Sequence, residues 1–147
     1  MKFIGVLLAA GASSRMGEPK QLLPFGERTV LGQGVHNHRV AGVASTVVVL
    51  GHHADAIRGA ASDTLAAADV SEAWNERHED GMFTSVQCGI RAAVELAADA
   101  VLMSLVDQPF VPPAVYADVM RAHALGSALV TIPTRGERRG HPVALSM

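Results

Sequence analysis

The sequence predicts an α/β fold, with an open, mostly parallel sheet and helices on both faces. Three observations lead to this prediction. Short apolar runs alternate with helical patterns along the chain, which is the order expected of strand–helix units. Hydrophobic residues make up 49% of the chain but aromatic residues only 4%, and such an aliphatic composition suits helices on a buried parallel sheet. The length of 147 residues corresponds to about one domain, so we treat residues 1–147 as a single domain.

The first unit is predicted to be a strand, a loop and a helix. Residues 3–9 (FIGVLLA) are an unbroken apolar run, which indicates a buried strand. Residues 10–28 form a loop rich in glycine, serine and proline. A helix is expected over residues 29–41, with Thr29 as its N-cap. The side chains expected to face the core are Val30, Leu31, Val35 and Val40.

The second unit repeats this order. Residues 45–50 (STVVVL) are rich in β-branched side chains and indicate a second buried strand. Gly51 is expected to turn the chain into a helix over residues 54–61. A weaker strand is expected near residues 69–74.

The third unit begins with a long helix. Asp80 is expected to cap this helix, which should end near Ala98, and apolar residues recur along it at steps of three and four. Residues 100–106 (AVLMSLV) then form a third clear strand that ends at Asp107. The apolar residues expected to face the core are Phe83, Val86, Ile90, Val94 and Ala97.

The remaining chain contains one helix and two strands. Pro112 and Pro113 are expected to open a helix through about His123, because proline is favoured in the first helical turn. A strand is expected over residues 128–132 and a turn over 135–140. The last expected strand covers residues 141–146.

Composition and charge exclude several classes of function. The net charge is −2 and no basic block occurs, so a nucleic acid polymer is not an expected partner. No apolar run approaches the ~20 residues of a membrane span, so no membrane is expected as a partner. The single cysteine, Cys88, excludes an internal disulfide, and we interpret it as a small buried hydrophobic residue. A reducing, cytoplasmic compartment is therefore expected.

The N-terminus allows two interpretations. Lys2 followed by apolar and small residues up to Ala12 imitates a signal peptide with its cleavage site. The same residues fit a buried strand followed by a glycine-containing loop. We favour the strand, because no other feature of the sequence indicates export.

Two loops are expected to carry the chemistry, because ligands of open α/β sheets bind beyond the carboxyl ends of the strands. The first follows residue 9, where Gly11 and Gly17 permit close approach of the backbone to a ligand. Arg15 and Lys20 suit a polyphosphate, and Lys20 is one of only two lysines in the chain. The spacing matches neither a Walker A loop nor G-x-G-x-x-G. The residues alone leave open whether this is an anion-binding loop or a structural turn with solvated charges.

The second loop begins at Asp107, at the end of a hydrophobic strand and two residues before Pro109. A carboxylate in this position is well placed to bind Mg²⁺. An aspartate that caps a turn explains the same residue equally well.

The histidines are not expected to bind zinc. His36 and His38 point to different faces of a helix, which is a poor geometry for a shared metal ion. His52 and His53 are expected in an exposed turn between a strand and a helix.

The segment LAAGASSRMGEPKQLLPFG resembles the signature of the MobA-like NTP transferases, the family that includes the molybdenum cofactor cytidylyl- and guanylyltransferases. The resemblance covers essentially the whole chain and is closest to the cytidylyltransferases. It implies a Rossmann-like sheet of the nucleotide-diphospho-sugar transferase type. It also implies that Arg15 and Lys20 bind the phosphates and stabilise the leaving pyrophosphate, as the catalytic groups. The backbone positions implied to hold the base and sugar are Leu8, Ala9, Ala10 and Gly11.

Three further segments match the family. Asp107 lies where the family has a metal-binding aspartate, usually in a Gly-Asp-x-Pro setting, although Val106 replaces the glycine here. The resemblance therefore implies Mg²⁺ as the cofactor. Residues 75–89 resemble the loop and helix start that close over the nucleotide, and a capped amphipathic helix is the alternative interpretation. The candidate nucleotide-binding residues in this segment are Asn75, Gly81 and Ser85.

The segment Arg138-Arg139-Gly140-His141-Pro142 matches the family's Arg-Gly-His/Asn-Pro-Val segment, which borders the acceptor pocket. Arg138, Arg139 and His141 are therefore candidate acceptor-binding residues. Adjacent arginines suit a phosphate-bearing acceptor. A solvated hairpin turn also explains them.

The resemblance implies transfer of a nucleoside monophosphate from an NTP to a phosphorylated acceptor such as molybdopterin, with release of pyrophosphate. Ala10 favours CTP, because the guanylyl branch commonly carries a second glycine there. A sugar-phosphate or alditol-phosphate nucleotidyltransferase and a non-catalytic nucleotide-binding domain are the alternatives. Each of these three assignments is compatible with a homo-oligomer.

Family members typically continue with another strand, another helix and a second acidic metal ligand. We therefore expect the chain, which ends at Met147, to lack the C-terminal portion of the family domain.

Overall fold

The computed structural model describes residues 1–12 and 17–147. Its helices are α1 (Val30–Ala41), α2 (Ala54–Ala60), α3 (Ser62–Leu65), α4 (Met82–Glu95) and α5 (Pro113–Leu125), with 3₁₀ turns at Lys20–Leu22 and His78–Asp80. Its strands are β1 (Phe3–Leu8), β2 (Pro24–Phe25), β3 (Arg28–Thr29), β4 (Ser45–Leu50), β5 (Val70–Trp74), β6 (Ala100–Leu105), β7 (Val130–Thr131), β8 (Thr134–Arg135), β9 (Arg138–Arg139) and β10 (Val143–Ser146).

The main sheet has six strands in the order β5-β4-β1-β6-β10-β7. β1 lies between β4 and β6 and is parallel to both, and β5 is parallel to β4. β10 runs antiparallel to β6 and β7. Leu8, near the end of β1, is in register with Val49 and Leu105 on the two neighbouring strands. The predicted open, mostly parallel α/β sheet is therefore confirmed.

Helices cover both faces of the sheet, and alternate residues of the strands point to them. Ile4, Val6 and Leu8 of β1 belong to the face that packs against Val86 and Ile90 of α4. Leu7 of β1 faces the other side, together with residues of α1 and α2, and α5 covers that side next to β6 and β10. Among the described residues, no helix combines the length and apolarity needed to cross a lipid bilayer.

Most predicted elements are present with small differences at their ends. Thr29 caps α1 as expected, because its side-chain oxygen accepts a hydrogen bond from the amide of Gly32 at 3.0 Å. The predicted loop over residues 10–28 also contains a 3₁₀ turn and the short β2–β3 ribbon. Likewise, the predicted turn over residues 135–140 is a hairpin formed by β8 and β9.

The prediction for α4 was wrong in two respects. Asp80 does not cap the helix; it ends the preceding 3₁₀ turn, and Gly81 occupies the cap position with φ of 104°, which a side chain would disfavour. Phe83 and Val94 do not face the core, since they are 69% and 56% exposed, and Ala97 is exposed beyond the end of the helix. The fully buried stripe instead consists of small residues, which allow the helix to lie close to the sheet: Ser85, Gly89 and Ala93.

Val40 of α1 was also wrongly predicted to face the core and is 57% exposed. The buried face of this helix includes a polar residue, His38, whose imidazole Nε2 lies 2.8 Å from Ser104 Oγ and whose Nδ1 lies 3.3 Å from Thr46 Oγ1. Burial lowers the pKa of His38 to about 4, so the ring is neutral at neutral pH. It links α1 to β4 and β6 through two hydrogen bonds.

Candidate active site

A cavity of about 190 Å³ opens beyond the carboxyl ends of β1 and β6. The chain leaves β1 toward α1 and β4 on one side, whereas β6 lies on the other side. This is the point at which the order of the strands reverses, where open α/β sheets bind their ligands. The cavity is lined by Leu8, Ala10, Gly11, Lys20, His78, Met82, Ser85, Leu105, Val106 and Asp107.

The loop after β1 is held in place by Gln21. This side chain is fully buried, and its Nε2 donates to the carbonyl oxygens of Ala9 at 2.8 Å and Gly11 at 3.3 Å. The carbonyl of Ala10 accepts from the amide of His52, which ties the same loop to the end of β4. Sequence reasoning missed Gln21, although it lies in the quoted signature directly after Lys20.

Lys20 and Asp107 bring opposite charges to one side of the cavity. Lys20 Nζ lies 3.5 Å from Asp107 Oδ2, and the side chains are 32% and 51% exposed. An ion pair this open to water contributes little to stability. Arg15, the other predicted catalytic residue, lies outside the described residues.

Hydrogen bonds from α1 hold the loop that follows Asp107. The buried side chain of Asn37 donates through Nδ2 to the carbonyl oxygens of Pro109 and Val111, each at 3.2 Å. Gln33 Nε2 donates in turn to Asn37 Oδ1 at 2.8 Å. Asn37 is a second positioning residue that sequence reasoning missed, because its partners lie more than 70 positions away.

The three candidate residues near α4 are placed differently. Ser85 is buried in the wall of the cavity, and Gly81 lies at the helix cap directly before Met82, which also lines the cavity. Asn75 is 5% exposed, and its Nδ2 donates to Thr84 Oγ1 and Ser85 Oγ, both at 2.9 Å. Its Oδ1 accepts from the amide of Arg77 at 3.0 Å. This side chain therefore organises the helix start, and it lines a separate cleft rather than the cavity.

The three candidate acceptor residues lie together at the β8–β9 hairpin. Arg138 and Arg139 are exposed and, with His141, line a pocket of about 310 Å³. Burial lowers the pKa of His141, while the negative charge of Asp107 opposes that shift.

Two other features were not predicted. A larger groove of about 590 Å³ lies between the β2–β3 ribbon, α1 and α3, remote from Asp107. His78, which was not predicted as a site residue, lines the main cavity, and its Nδ1 contacts Nδ1 of His52. The larger groove is not at the carboxyl ends of the central strands, so its size does not make it the better candidate site.

Comparison with known proteins identifies the family. A family model described as the MobA-like NTP transferase domain matches residues 5–147. Nicotine blue oxidoreductase from Paenarthrobacter nicotinovorans is 33% identical over 147 residues, covering 96% of this chain and 69% of that protein. Bifunctional protein GlmU from Kineococcus radiotolerans is 32% identical over 133 residues, covering 88% of this chain and 26% of that protein.

Among solved structures, Rv0371c from Mycobacterium tuberculosis H37Rv is similar with a TM-score of 0.83 and 31% identity, covering 99% of this chain and 71% of that one. A second structure of Rv0371c is a complex with manganese, with a TM-score of 0.74 and 29% identity over 99% of this chain and 71% of that one. Because the family model spans nearly the whole chain, the protein belongs to the MobA-like NTP transferase domains, a family of nucleotidyltransferases.

Proposed function

We propose that this protein transfers a nucleoside monophosphate from an NTP, with CTP favoured, to a phosphorylated acceptor such as molybdopterin, and releases pyrophosphate. The observation that carries the proposal is the cavity at the strand ends, where Lys20 Nζ and Asp107 Oδ2 lie 3.5 Å apart. A cation and a metal-binding carboxylate in one cavity suit a triphosphate.

The nucleotide is proposed to lie along the loop after β1. The backbone of Leu8, Ala9, Ala10 and Gly11 would hold the base and sugar, and the bonds from Gln21 support this by fixing the loop in shape. Lys20 would bind the phosphates as a point charge. The family resemblance assigns Arg15 a similar role. CTP is favoured on the basis of Ala10.

In the proposed reaction, a phosphate oxygen of the acceptor attacks the α-phosphorus of the NTP. A new P–O bond forms, the bond between the α-phosphorus and the bridging oxygen breaks, and pyrophosphate leaves with its electron pair. The attacking phosphate is already ionised at neutral pH, so no protein nucleophile is required. The protein's contribution is to align the two substrates and to stabilise negative charge on the leaving group through Lys20.

Asp107 is the proposed ligand for Mg²⁺. Its half-exposed carboxylate at the mouth of the cavity fits an ion that binds one or two carboxylates together with substrate phosphates and water. When bound, Mg²⁺ would neutralise phosphate charge. The manganese complex of Rv0371c is consistent with a divalent cation in this family.

The acceptor is proposed to bind at the β8–β9 hairpin. Arg138, Arg139 and His141 line one pocket, and guanidinium groups suit a phosphate. The same arginines would also accept a sugar phosphate or an alditol phosphate, so the acceptor must be identified by experiment.

A coupled assay for pyrophosphate tests the proposal. The 147-residue chain with Mg²⁺ is supplied with each of the four NTPs and with molybdopterin, a sugar phosphate or an alditol phosphate. We expect release that requires both substrates and is fastest with CTP and molybdopterin. A faster reaction with a sugar or alditol phosphate would favour the alternative acceptor. Nucleotide binding without pyrophosphate from any pair, both in this chain and in a chain extended at its C-terminus, would indicate a non-catalytic domain and refute the proposal.

A further inference from the structure

Two histidines that are distant in the sequence meet beside the nucleotide cavity. His52 lies directly after β4, and His78 begins the 3₁₀ turn that precedes α4. Their Nδ1 atoms lie 2.9 Å apart, and the ring planes are inclined by 83°. Gly51 makes this approach possible, because a β-carbon there would overlap with the β-carbon of His78.

Glu79 adds a carboxylate to the pair. One ligand atom from each of His52, His78 and Glu79 lies within 4.8 Å of the others. The two histidines are half-buried and the glutamate is exposed, so the cluster is open to solvent on one side. A pocket of about 280 Å³ lies directly against it, with Trp74 on its wall.

The geometry suits a metal ion. In the structure the two nitrogens share a hydrogen bond, which an ion would replace. Two nitrogens that are each about 2.1 Å from a tetrahedral ion lie roughly 3.4 Å apart, so binding would separate the rings by only about 0.5 Å. Imidazole nitrogen is a preferred ligand of zinc, nickel and copper, whereas Mg²⁺ prefers oxygen. Three protein ligands also leave at least one coordination position for water or for a ligand atom.

The turn that carries His52 is held in an uncommon conformation. His53 has φ of 59°, in the left-handed region that residues other than glycine rarely adopt. The amide of His52 donates to the carbonyl of Ala10 at 3.2 Å, which fixes the start of this turn to the loop after β1. The backbone thus holds the His52 side of the cluster in place before any ion binds.

We propose that His52, His78 and Glu79 form a binding site for a divalent transition-metal ion of the zinc class, separate from the Mg²⁺ site proposed at Asp107. An ion there joins the turn after β4 to the segment before α4. Because His78 lines both the nucleotide cavity and the pocket beside the cluster, the ion also fixes one wall of the nucleotide cavity.

Calorimetric titration of the untagged chain with ZnCl₂, in a large excess of MgCl₂, tests the proposal. We expect one Zn²⁺ per chain, with affinity reduced at least tenfold in His52→Gln and further in His52→Gln/Glu79→Gln. His36→Gln is the matched control, because it removes a histidine from the remote groove. Equal zinc affinity in wild type and His52→Gln, or no zinc binding at micromolar concentrations, would overturn the proposal.

NMR of the wild-type histidine rings gives an answer even if the variants fail to fold. Zinc is expected to shift the ring nitrogen signals of His52 and His78 and to leave those of His36 and His123 unchanged. If the signals of His52 and His78 do not move when zinc is added, the cluster is not a metal site. Neither outcome depends on the nucleotidyltransferase reaction.

Discussion

Lys20 and Asp107 follow different strands and meet only in the folded protein. Asp107 comes directly after the end of β6, and Lys20 lies in the 3₁₀ turn of the loop after β1. Lys20 Nζ and Asp107 Oδ2 lie 3.5 Å apart at the cavity. Because the pair is partly exposed, this ion pair contributes little to stability. We propose that a triphosphate contacts Lys20 and that a metal ion binds Asp107.

The first prediction concerns the charge of Lys20. Lys20→Ala is expected to weaken CTP binding at least tenfold, or about 1.4 kcal/mol, because a positive charge next to the phosphates is lost. The measurement is a calorimetric titration with Mg·CTP.

Lys2→Ala is the matched control for this prediction. Lys2 is the other lysine, and its Nζ donates to the carbonyl of Leu96 near the amino end of β1. The two substitutions therefore change the net charge equally. If both variants bind CTP alike, the charge of Lys20 has no local role.

The second prediction concerns Gln21. Gln21→Met keeps the volume of the side chain but removes both hydrogen bonds to the carbonyls of Ala9 and Gly11. Leaving a buried acceptor unsatisfied costs about 1–3 kcal/mol, so the free energy of unfolding in urea should fall by that amount. CTP affinity should fall as well, because the loop loses its support.

Gln87→Met on α4 provides the comparison for Gln21→Met. Gln87 lines the separate cleft with Trp74 and Thr84. A Gln21→Met protein as stable as Gln87→Met, with unchanged CTP affinity, would show that these bonds do not position the loop.

The sequence allowed prediction of the residues that carry charge but not of those that position them. Lys20 and Asp107 could be identified because they follow apolar strands and match a family signature. Gln21 and Asn37 act on backbone carbonyls of other segments, and no periodicity or composition marks such a role. His52 and His78 are brought together only by the fold. The sequence therefore contained no sign of this pair, and the histidines were not expected to bind a metal ion.

At the scale of the elements, α1 is attached to the sheet by polar contacts as well as by apolar packing. His38 contacts Ser104 of β6 and Thr46 of β4, and its ring stacks edge-on against Tyr116 of α5 at 5.6 Å. Both partners are hydroxyl groups, which can donate or accept, so it is burial rather than these bonds that favours the neutral imidazole. Protonation of this ring should therefore oppose folding.

The third prediction is the pH dependence that results from His38. Its pKa is about 4 in the folded protein, below the ordinary value of 6.5. Between these values the unfolded chain binds more protons, so stability is highest above pH 6.5 and falls as the pH is lowered toward 4. We expect this residue to make the protein about 2 kcal/mol less stable at pH 5 than at pH 7.5.

Urea unfolding at the two pH values measures this effect, and His38→Gln separates it from the other titrating groups. The variant should lose stability more gradually than wild type as the pH falls. An NMR titration of the His38 ring checks the cause directly. A midpoint near pH 6.5 in the folded protein would contradict the prediction.

The elements predicted best were those whose hydrophobic pattern does not depend on which other elements they pack against. Continuous apolar runs identified β1, β4 and β6, since central parallel strands are buried on both faces. The face of α4 was misjudged because its buried stripe consists of small residues, whereas larger apolar residues lie on its flank. Because this helix packs closely on the sheet, its buried positions require small side chains rather than strongly hydrophobic ones.

At the scale of the whole molecule, the order of the strands creates the site. Placing β1 between β4 and β6 brings the ends of two distant segments to one cavity. The alternation of strands and helices predicted a parallel sheet. The local sequence pattern predicts neither the order of the strands nor the antiparallel direction of β10. Both depend on contacts between residues far apart in the chain.

We propose that this cavity binds a nucleoside triphosphate through Lys20 and through a divalent ion held by Asp107. The affinity for CTP over a range of Mg²⁺ concentrations tests this in wild type, in Asp107→Asn and in the control Asp118→Asn, which alters an exposed carboxylate on α5. We expect Mg²⁺ to strengthen CTP binding at least tenfold in wild type and Asp118→Asn and to have little effect in Asp107→Asn. Magnesium titration curves that superimpose for all three proteins would contradict it.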